Sequence, residues 1–183
     1  MAQEKTYRLQ VAGLQRDLTI CPISETMSIA GFIMFSDVEL TIRCAEELLK
    51  KLPADYDILL TAESKGIPLA YEMSRQSGKN YILARKSAKL YMRNPVEVDV
   101  KSITTSRIQT LVLDEHDIGL LRGKRVVIVD DVISTGESLS AMEKLVEKAS
   151  GTIAAKAAVL AEGDAAKRKD IIFLEPLPLF FHD

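Results

Sequence analysis

Several features that other classes of protein require are scarce in this sequence. Its 183 residues include only two cysteines and two histidines, too few for a disulfide framework or an evident zinc site. No apolar run is long enough to span a bilayer, and the polar N-terminus lacks the apolar core of a signal peptide. With 24 Lys and Arg against 26 Asp and Glu, the chain also lacks the positive charge that generic DNA binding requires. We therefore expect a cytoplasmic protein with no membrane or nucleic-acid partner.

The composition that remains is that of an ordinary globular protein. Hydrophobic residues make up 47% of the chain and charged residues 27%, which excludes a disordered chain. No internal repeat, low-complexity tract or linker rich in Gly or Ser interrupts the sequence. Because this length also suits one hydrophobic core, residues 1–183 are predicted to form a single domain.

Short apolar runs alternate with amphipathic segments along the chain. The runs predict strands at 56–62, 80–85, 125–129 and 152–160. Helical spacing predicts helices at 38–52, 67–75 and 138–148. The apolar positions of the first helix are Val38, Ile42, Ala45, Leu48, Leu49 and Leu52. This order predicts an α/β fold with a mostly parallel sheet, in which ligands bind at the carboxyl ends of the strands.

The most informative segment follows the strand predicted at 125–129. Two adjacent carboxylates, Asp130 and Asp131, come next, and a loop rich in hydroxyl groups then opens a helix. Hydroxyls and the N–H groups of a helix N-terminus can bind a phosphate, and paired carboxylates can bind a vicinal diol or Mg²⁺. A ribose 5-phosphate carries both a phosphate and a diol. The alternative is that the two aspartates only cap the helix and that Gly136 only turns the chain.

Residues 127–138 resemble the phosphoribosyl-pyrophosphate (PRPP) binding motif of the type I phosphoribosyltransferases. That motif has four apolar, two acidic and two apolar residues before a small-Thr-Gly-x-Ser/Thr loop. The resemblance implies that Asp130 and Asp131 are the catalytic and metal-binding residues, holding the ribose hydroxyls directly or through Mg²⁺. It implies that the 5-phosphate is bound by Ser134, Thr135, Gly136, Glu137 and Ser138. Many members have a second glycine instead of Glu137, so the carboxylate of Glu137 is expected to point away from the phosphate.

Two further segments resemble the pyrophosphate-binding parts of the same family. The first is the turn formed by Glu63, Ser64, Lys65 and Gly66, where a non-proline cis peptide is expected near Glu63–Ser64. The second is a group of cations, Arg85, Lys86 and Lys89, which in the family reach a polyphosphate, sometimes across a dimer interface. This implies a homodimer. Without the resemblance, the two segments would be an ordinary strand-to-helix turn and a solvated basic turn.

Residues 92–107 resemble the loop and hairpin that close over the reacting centre in this family. Closure would exclude water from a reactive ribose intermediate. Many adenine enzymes have a glutamate in this hairpin, whereas this chain has Thr105 near the matching place. A carboxylate that shuttles a proton is therefore not implied here.

The purine base is expected to lie against a small hood built from about residues 1–37 and the C-terminal part of the chain. The stretch 33–37 resembles adenine phosphoribosyltransferases, which implies that Phe35 packs on the purine ring; the alternative is that Phe35 belongs to the core. Leu160 and Glu162 end the strand that faces the hood. A carboxylate accepts hydrogen bonds, so Glu162 favours an exocyclic amine, as on adenine or guanine, unless it is only a solvated strand end.

The resemblance as a whole implies a type I phosphoribosyltransferase fold with helices flanking the sheet. It implies an enzyme of purine salvage that uses PRPP, a purine base and Mg²⁺. Adenine is favoured as the base, followed by hypoxanthine or guanine, with xanthine last. Residues 64–71 and 107–113 also resemble the PRPP-binding domain of bacterial purine-operon repressors, which need not catalyse. The N-terminal segment is expected to leave no room for their winged-helix domain, so a PRPP sensor without DNA binding is the alternative.

Overall fold

The computed structural model describes residues 5–101 and 108–182 of the chain. In chain order its elements are β1 (Thr6–Val11), β2 (Leu14–Pro22), β3 (Met27–Ala30), α1 (Val38–Lys51), β4 (Ile58–Ala62), α2 (Ile67–Ser77), β5 (Tyr81–Ala84), β6 (Val96–Lys101), β7 (Ile108–Leu113), α3 (Glu115–Leu121), β8 (Arg125–Ile133), α4 (Glu137–Lys148), β9 (Thr152–Glu162), a 3₁₀ turn (Gly163–Lys167), β10 (Ile172–Leu177) and β11 (Leu179–Phe181). In the part of the chain that the model covers, no helix combines the length and apolar character needed to cross a membrane.

A five-stranded parallel sheet with the spatial order β10-β9-β8-β4-β5 forms the centre of the fold. Both of its faces are buried. In β4, Ile58 and Leu60 pack in the hydrophobic cluster that includes α4, while Leu59 packs in the opposite cluster with α1 and α2. Because successive side chains of a strand point to opposite faces, a strand buried on both faces has the continuous apolar run seen in the sequence. The sheet confirms the predicted α/β fold.

A second sheet forms the hood. Its four antiparallel strands have the order β1-β2-β3-β11, so the N-terminal strands pair with a strand from the C-terminal end. A separate antiparallel pair, β6 and β7, forms a hairpin that extends beyond the segment 92–107 in which one was expected, because β7 begins at Ile108. The hydroxyl-rich connection 102–107, including Thr105, lies outside the described residues.

Helix α1 ends one residue before its predicted end, and part of its predicted apolar face is wrong. Its buried side chains are those of Leu40, Thr41, Cys44, Ala45 and Leu48, whereas Val38 and Ile42 are exposed. The buried positions recur at intervals of three and four residues and pack against α2 and the sheet. Apolar spacing alone could not choose between the two faces, because apolar residues occur on both.

The first turn of α1 is tied to the hood by an ion pair. Asp37 caps the helix by accepting a hydrogen bond from the backbone N–H of Leu40 at 3.0 Å. The same carboxylate accepts two hydrogen bonds from Arg16 of β2, at 2.7 and 3.1 Å, and Arg16 also donates to Glu39. The Arg16 guanidinium holds the pKa of Asp37 below its ordinary value. This contact links the hood directly to α1.

We expect Asp37→Ala to cost about 1–2 kcal/mol of unfolding free energy, since it removes both the helix cap and the ion pair. Asp37→Asn keeps a capping oxygen, so it should cost less. Because folding lowers the pKa of Asp37, its ionic stabilisation is complete above the ordinary value of 3.8 and is lost as the pH falls below that value and through the lower pKa of the folded state. Urea unfolding at pH 7, 4 and 3 should therefore show the difference between wild type and Asp37→Asn shrinking with acidity. An unchanged difference would exclude the ion pair as its cause.

Candidate functional site

Strand β8 continues through the acidic pair, which corrects the predicted end at Val129. It pairs with β4 only as far as Ile128, but with β9 as far as Ile133. Asp130 and Asp131 are therefore held in a strand that extends past its neighbour β4. Although successive side chains in a strand point to opposite faces, the two carboxylates remain close enough for Asp131 to raise the pKa of Asp130.

The two carboxylates have different surroundings. Oδ1 of Asp130 accepts a hydrogen bond from the backbone N–H of Asp131 at 2.9 Å. Loss of contact with water, followed by the charge of Asp131, raises the pKa of Asp130 well above its ordinary value, and Lys65 opposes this shift. Asp131 is only 5% exposed, and its Oδ2 is buried without a hydrogen-bond partner among the described residues. A buried carboxylate oxygen without a partner is costly unless something that binds there satisfies it.

The loop of residues 134–138, here called the phosphate loop, leads directly into α4. Gly136 is the N-terminal cap residue, with φ +82°, a left-handed conformation that glycine adopts without steric cost. No side chain caps this helix end, and the first backbone hydrogen bond to Gly136 comes from Ser140. The N–H groups of the first turn, such as those of Ser138 and Leu139, have no acceptor within the helix. These N–H groups and the loop hydroxyls can bind an anion.

The turn 63–66, here called the pyrophosphate loop, packs against the acidic pair. Its Glu63–Ser64 peptide is cis, as the resemblance implied. A Cβ placed on Gly66 would collide with Oγ1 of Thr61 and would lie 3.3 Å from Oδ1 of Asp130. Only a residue without a side chain allows the start of α2 to approach β8 this closely. The structure thus brings Gly66 and Asp130 together, although 64 positions separate them in sequence.

Glu63 connects the pyrophosphate loop to the basic segment after β5. Its Oε2 accepts a hydrogen bond from the backbone N–H of Lys86 at 2.9 Å and lies 3.5 Å from Nε of Arg85. The Lys86 N–H, with smaller contributions from Arg85 and Lys89, holds the pKa of Glu63 below its ordinary value. Arg85 is also paired through its backbone with Val112 of β7. The side chain of Glu63 therefore orients the basic segment.

A cleft of about 440 Å³ joins the phosphate loop to the end of β9. Its lining residues are Ser134, Thr135, Glu162, Asp164, Ala165, Arg168 and Leu179. Glu162 thus shares a cavity with the phosphate loop. The sequence-based set of site residues missed Asp164 and Arg168, which lie in and just after the 3₁₀ turn. Their position could have identified them, because both follow a parallel strand shortly after its carboxyl end, where ligands bind.

The other two residues proposed to contact a base have contrasting positions. Phe35 is 46% exposed, which excludes the alternative that it belongs to the core. Leu160 is fully buried in the cluster on the hood side of the sheet, so its side chain as placed offers no surface to a ligand. Neither residue lines the 440 Å³ cleft. Phe35 and Leu160 as base-binding residues remain predictions.

The acidic side chains of this site offer oxygen ligands of the kind that a magnesium ion prefers. Within residues 5–101 and 108–182, no group of three or more His, Cys, Asp or Glu side chains is placed to hold a metal. Mg²⁺, however, is commonly held by one or two carboxylates, with substrate phosphates and water as its other ligands. The buried, unpartnered Oδ2 of Asp131 and the adjacent carboxylate of Asp130 fit that pattern. An ion at this place would depend on the substrate for most of its ligands.

Comparison with known proteins gives consistent matches. A family model described as "Phosphoribosyl transferase domain" matches residues 38–176. An adenine phosphoribosyltransferase of Cenarchaeum symbiosum is 32% identical over 136 residues, which cover 70% of this chain and 77% of the relative. A hypoxanthine/guanine phosphoribosyltransferase of Methanocella paludicola is 32% identical over 148 residues, 81% of this chain and 71% of the relative.

A solved structure has the same fold. The crystal structure of adenine phosphoribosyltransferase from Thermoanaerobacter pseudethanolicus aligns with a TM-score of 0.72, covering 87% of this chain and 95% of that one. The sequence identity is 21%, so the alignment establishes shared architecture only.

Proposed function

This chain belongs to the phosphoribosyl transferase family, and on that premise we propose that it is a cytoplasmic purine phosphoribosyltransferase that favours adenine. The observation that carries the proposal is the close approach of Gly66 to Asp130 beside the phosphate loop. It places two loops able to bind phosphates on either side of a pair of carboxylates. PRPP has a phosphate at one end, a pyrophosphate at the other and a diol between them.

In the proposed reaction, a nitrogen of the purine forms a bond to the anomeric carbon of PRPP. The bond from that carbon to the pyrophosphate oxygen breaks, and pyrophosphate leaves with the electron pair. The purine releases its one imidazole-ring N–H proton to water, so the base of the product nucleotide is neutral. The phosphate loop holds the 5-phosphate, and Asp130 and Asp131 orient the ribose hydroxyls. Lys65, Arg85, Lys86 and Lys89 supply positive charge near the leaving group. Fixed charges of this kind stabilise a transition state more effectively than mobile water does.

We assign the magnesium site of this reaction to Asp130 and Asp131. When bound there with substrate, Mg²⁺ would neutralise part of the negative charge that builds on the departing pyrophosphate. The carboxylates themselves position the ribose, and Asp131 contributes an oxygen that has no hydrogen-bond partner among the described residues.

The preference for adenine rests on Glu162 and on the relatives. Glu162 lines the cleft next to the phosphate loop, and a carboxylate there accepts a hydrogen bond from an exocyclic amine. Phe35 is exposed and available to pack on a ring. The relative named for hypoxanthine and guanine makes these bases the second choice.

A homodimer is part of the proposal. Val38, Ile42 and Tyr71 are exposed apolar side chains around a cleft of about 240 Å³ between α1 and α2. An apolar patch of this kind on a small protein is typical of a contact surface. A second copy of the chain is its proposed occupant, because in this family basic loop residues sometimes act across a dimer interface. Sedimentation equilibrium should give twice the mass of one chain; a monomer at every concentration would contradict it.

A turnover panel tests the function directly. Purified protein is incubated with Mg²⁺, PRPP and one base per reaction, namely adenine, hypoxanthine, guanine, xanthine or orotate, and nucleotide is measured. We expect adenine to be converted at about 1 per second or faster, as is usual for enzymes. Conversion of hypoxanthine or guanine instead would correct the base but keep the reaction.

The PRPP sensor predicts a different result from the same panel. No base would yield a nucleotide, yet PRPP would raise the melting temperature, because a ligand that binds only the folded state stabilises it. No turnover and no thermal shift would contradict both functions.

A further inference from the structure

The guanidinium group of Arg168 lies directly against the phosphate loop. A Cβ placed on Gly136 would be 2.9 Å from Nη1 of Arg168, so the glycine makes room for the arginine. Arg168 lines the 440 Å³ cleft together with Ser134 and Thr135 of the phosphate loop. Among the described residues, Nη1 of Arg168 donates no hydrogen bond.

A chain of ion pairs holds Arg168 in this position. Its Nε and Nη2 donate to the two carboxylate oxygens of Asp170 at 2.9 and 2.7 Å. Asp170 also accepts a hydrogen bond from Lys156 of β9 at 2.5 Å, and Lys156 donates to Glu143 of α4 at 2.8 Å. The anchored edge of the guanidinium is therefore fixed, and the remaining nitrogen points to the phosphate loop. An arginine held in this way loses little side-chain entropy when it binds an anion.

The charge around the phosphate loop makes this arginine significant. The phosphate loop also lines a second cleft, of about 110 Å³, formed by Asp130 and residues 132–139. Together the two clefts contain four acidic side chains, those of Asp130, Glu137, Glu162 and Asp164. Within the described part of the chain, Arg168 is the only cationic residue among their lining residues. A dianionic phosphate bound at the loop would be repelled by nearby carboxylates. The ion pair of Asp164 with Lys167 at 2.7 Å already offsets one of these charges, and a cation at the loop would provide further compensation. Arginine is well suited to supply it, because it forms charge-assisted hydrogen bonds to phosphate.

The strand order separates Arg168 from the pyrophosphate end of the substrate. Strand β8 lies between β9 and β4. The pyrophosphate loop and the basic segment follow β4 and β5, on one side of the acidic pair, whereas Arg168 follows β9, on the other side. A group held at the phosphate loop is therefore within reach of Arg168, and a pyrophosphate at residues 63–66 is on the opposite side of β8.

We propose that Arg168, held by Asp170, binds the 5-phosphate of the substrate through Nη1 and compensates the acidic lining of the site. Arg168 is then a substrate-binding residue, and Asp170 is a positioning residue. This inference rests on the proposed function, since it requires that residues 134–138 bind the 5-phosphate.

The test measures each phosphate separately. Isothermal titration with ribose 5-phosphate and with pyrophosphate is performed on wild type, Arg168→Met, Asp170→Asn and the matched control Lys169→Met, an exposed cation in the same segment. We expect Arg168→Met to weaken ribose 5-phosphate binding about tenfold or more, as for loss of one charge-assisted contact. Pyrophosphate binding should be unchanged. Asp170→Asn should give a smaller loss for ribose 5-phosphate, and Lys169→Met should resemble wild type for both compounds.

Steady-state kinetics provide a second readout. Arg168→Met should raise the KM for PRPP and leave kcat at saturating PRPP near the wild-type value, since it removes binding common to the ground and transition states. Arg168→Lys, which restores charge but not the paired contact with Asp170, should recover part of the affinity. A purely structural role would instead lower the melting temperature and weaken both compounds alike.

Three binding results would also overturn the inference, and one of them would contradict the proposed function as well. If wild type binds ribose 5-phosphate and Arg168→Met binds it equally well, Arg168 is not a 5-phosphate ligand, and the proposed function is unaffected. Selective loss of pyrophosphate binding would place Arg168 at the leaving group instead. Wild type that binds neither compound would remove the phosphate-loop assignment itself, and this inference with it.

Discussion

Asp131→Asn should lower turnover about tenfold or more while the protein remains folded. The substitution keeps the shape of the side chain but removes the charge with which Asp131 would orient the ribose and hold Mg²⁺. Oδ2 of Asp131 is buried and has no partner in the described protein, so its contribution to the fold is small and its contribution to a bound ligand can be large. Steady-state rates with PRPP and adenine, together with melting temperatures, measure both effects.

The stability of this variant provides an independent check. Asp131 raises the pKa of Asp130, which means that the two charges repel each other in the folded protein. Removing one charge should therefore leave the melting temperature unchanged or raise it, whereas Asp17→Asn, an exposed aspartate paired with Arg8 on the hood, should change neither rate nor stability by much. Full turnover in Asp131→Asn would remove this carboxylate from the mechanism.

Gly66→Ala should damage both the fold and the activity. The new methyl group would overlap Oγ1 of Thr61 and press on Asp130, and the backbone of α2 would have to move away from β8. Overpacking of this kind costs about 1–3 kcal/mol of stability. A shift of about 1 Å in a reacting group can lower a rate about a hundredfold, so turnover should fall further than stability alone would require. Urea unfolding and kcat/KM for PRPP measure the two losses.

Two variants test the steric cause of this prediction. Gly119→Ala adds the same methyl group within α3, where nothing lies within 4 Å, and should stabilise the protein by about 0.5–1 kcal/mol through helix propensity. Thr61→Ala combined with Gly66→Ala removes the nearest obstructing atom and should recover part of the stability lost in Gly66→Ala alone. If Gly66→Ala behaves like Gly119→Ala, the loops are not packed as closely as the contact at Asp130 indicates.

The predicted strands show where sequence patterns were informative and where they were not. Apolar runs located β4, β5, β8 and β9 within a few residues, because a strand buried on both faces must be apolar throughout. The same rule predicted that β8 ends at Val129, because two charged residues follow it. The strand nevertheless continues through Asp130 and Asp131, because β9 supplies hydrogen-bond partners as far as Ile133. That pairing depends on a segment more than twenty positions away in sequence.

The site residues divide in a similar way. The order of residues 127–138 was sufficient to locate the acidic pair and the phosphate loop, and the family resemblance located the cis peptide at Glu63–Ser64. Their roles in binding PRPP stay predictions. Phe35 and Leu160 were proposed together, yet one is exposed and the other fully buried. Whether an apolar side chain reaches the surface depends on what packs over it, and a local pattern does not contain that information.

By itself, the sequence determined the α/β class, the parallel central sheet and the position of the acidic pair at its edge. These features depend on local periodicity and on residue types at short spacing, which are encoded within one segment of the chain. Tertiary structure alone decided that Gly66 contacts Asp130, that Val38 and Ile42 face outward, and that Arg168 lies against Gly136. These features depend on which segments lie next to each other in space. The strand order determines that arrangement, and hydrophobic periodicity within one segment does not predict the strand order.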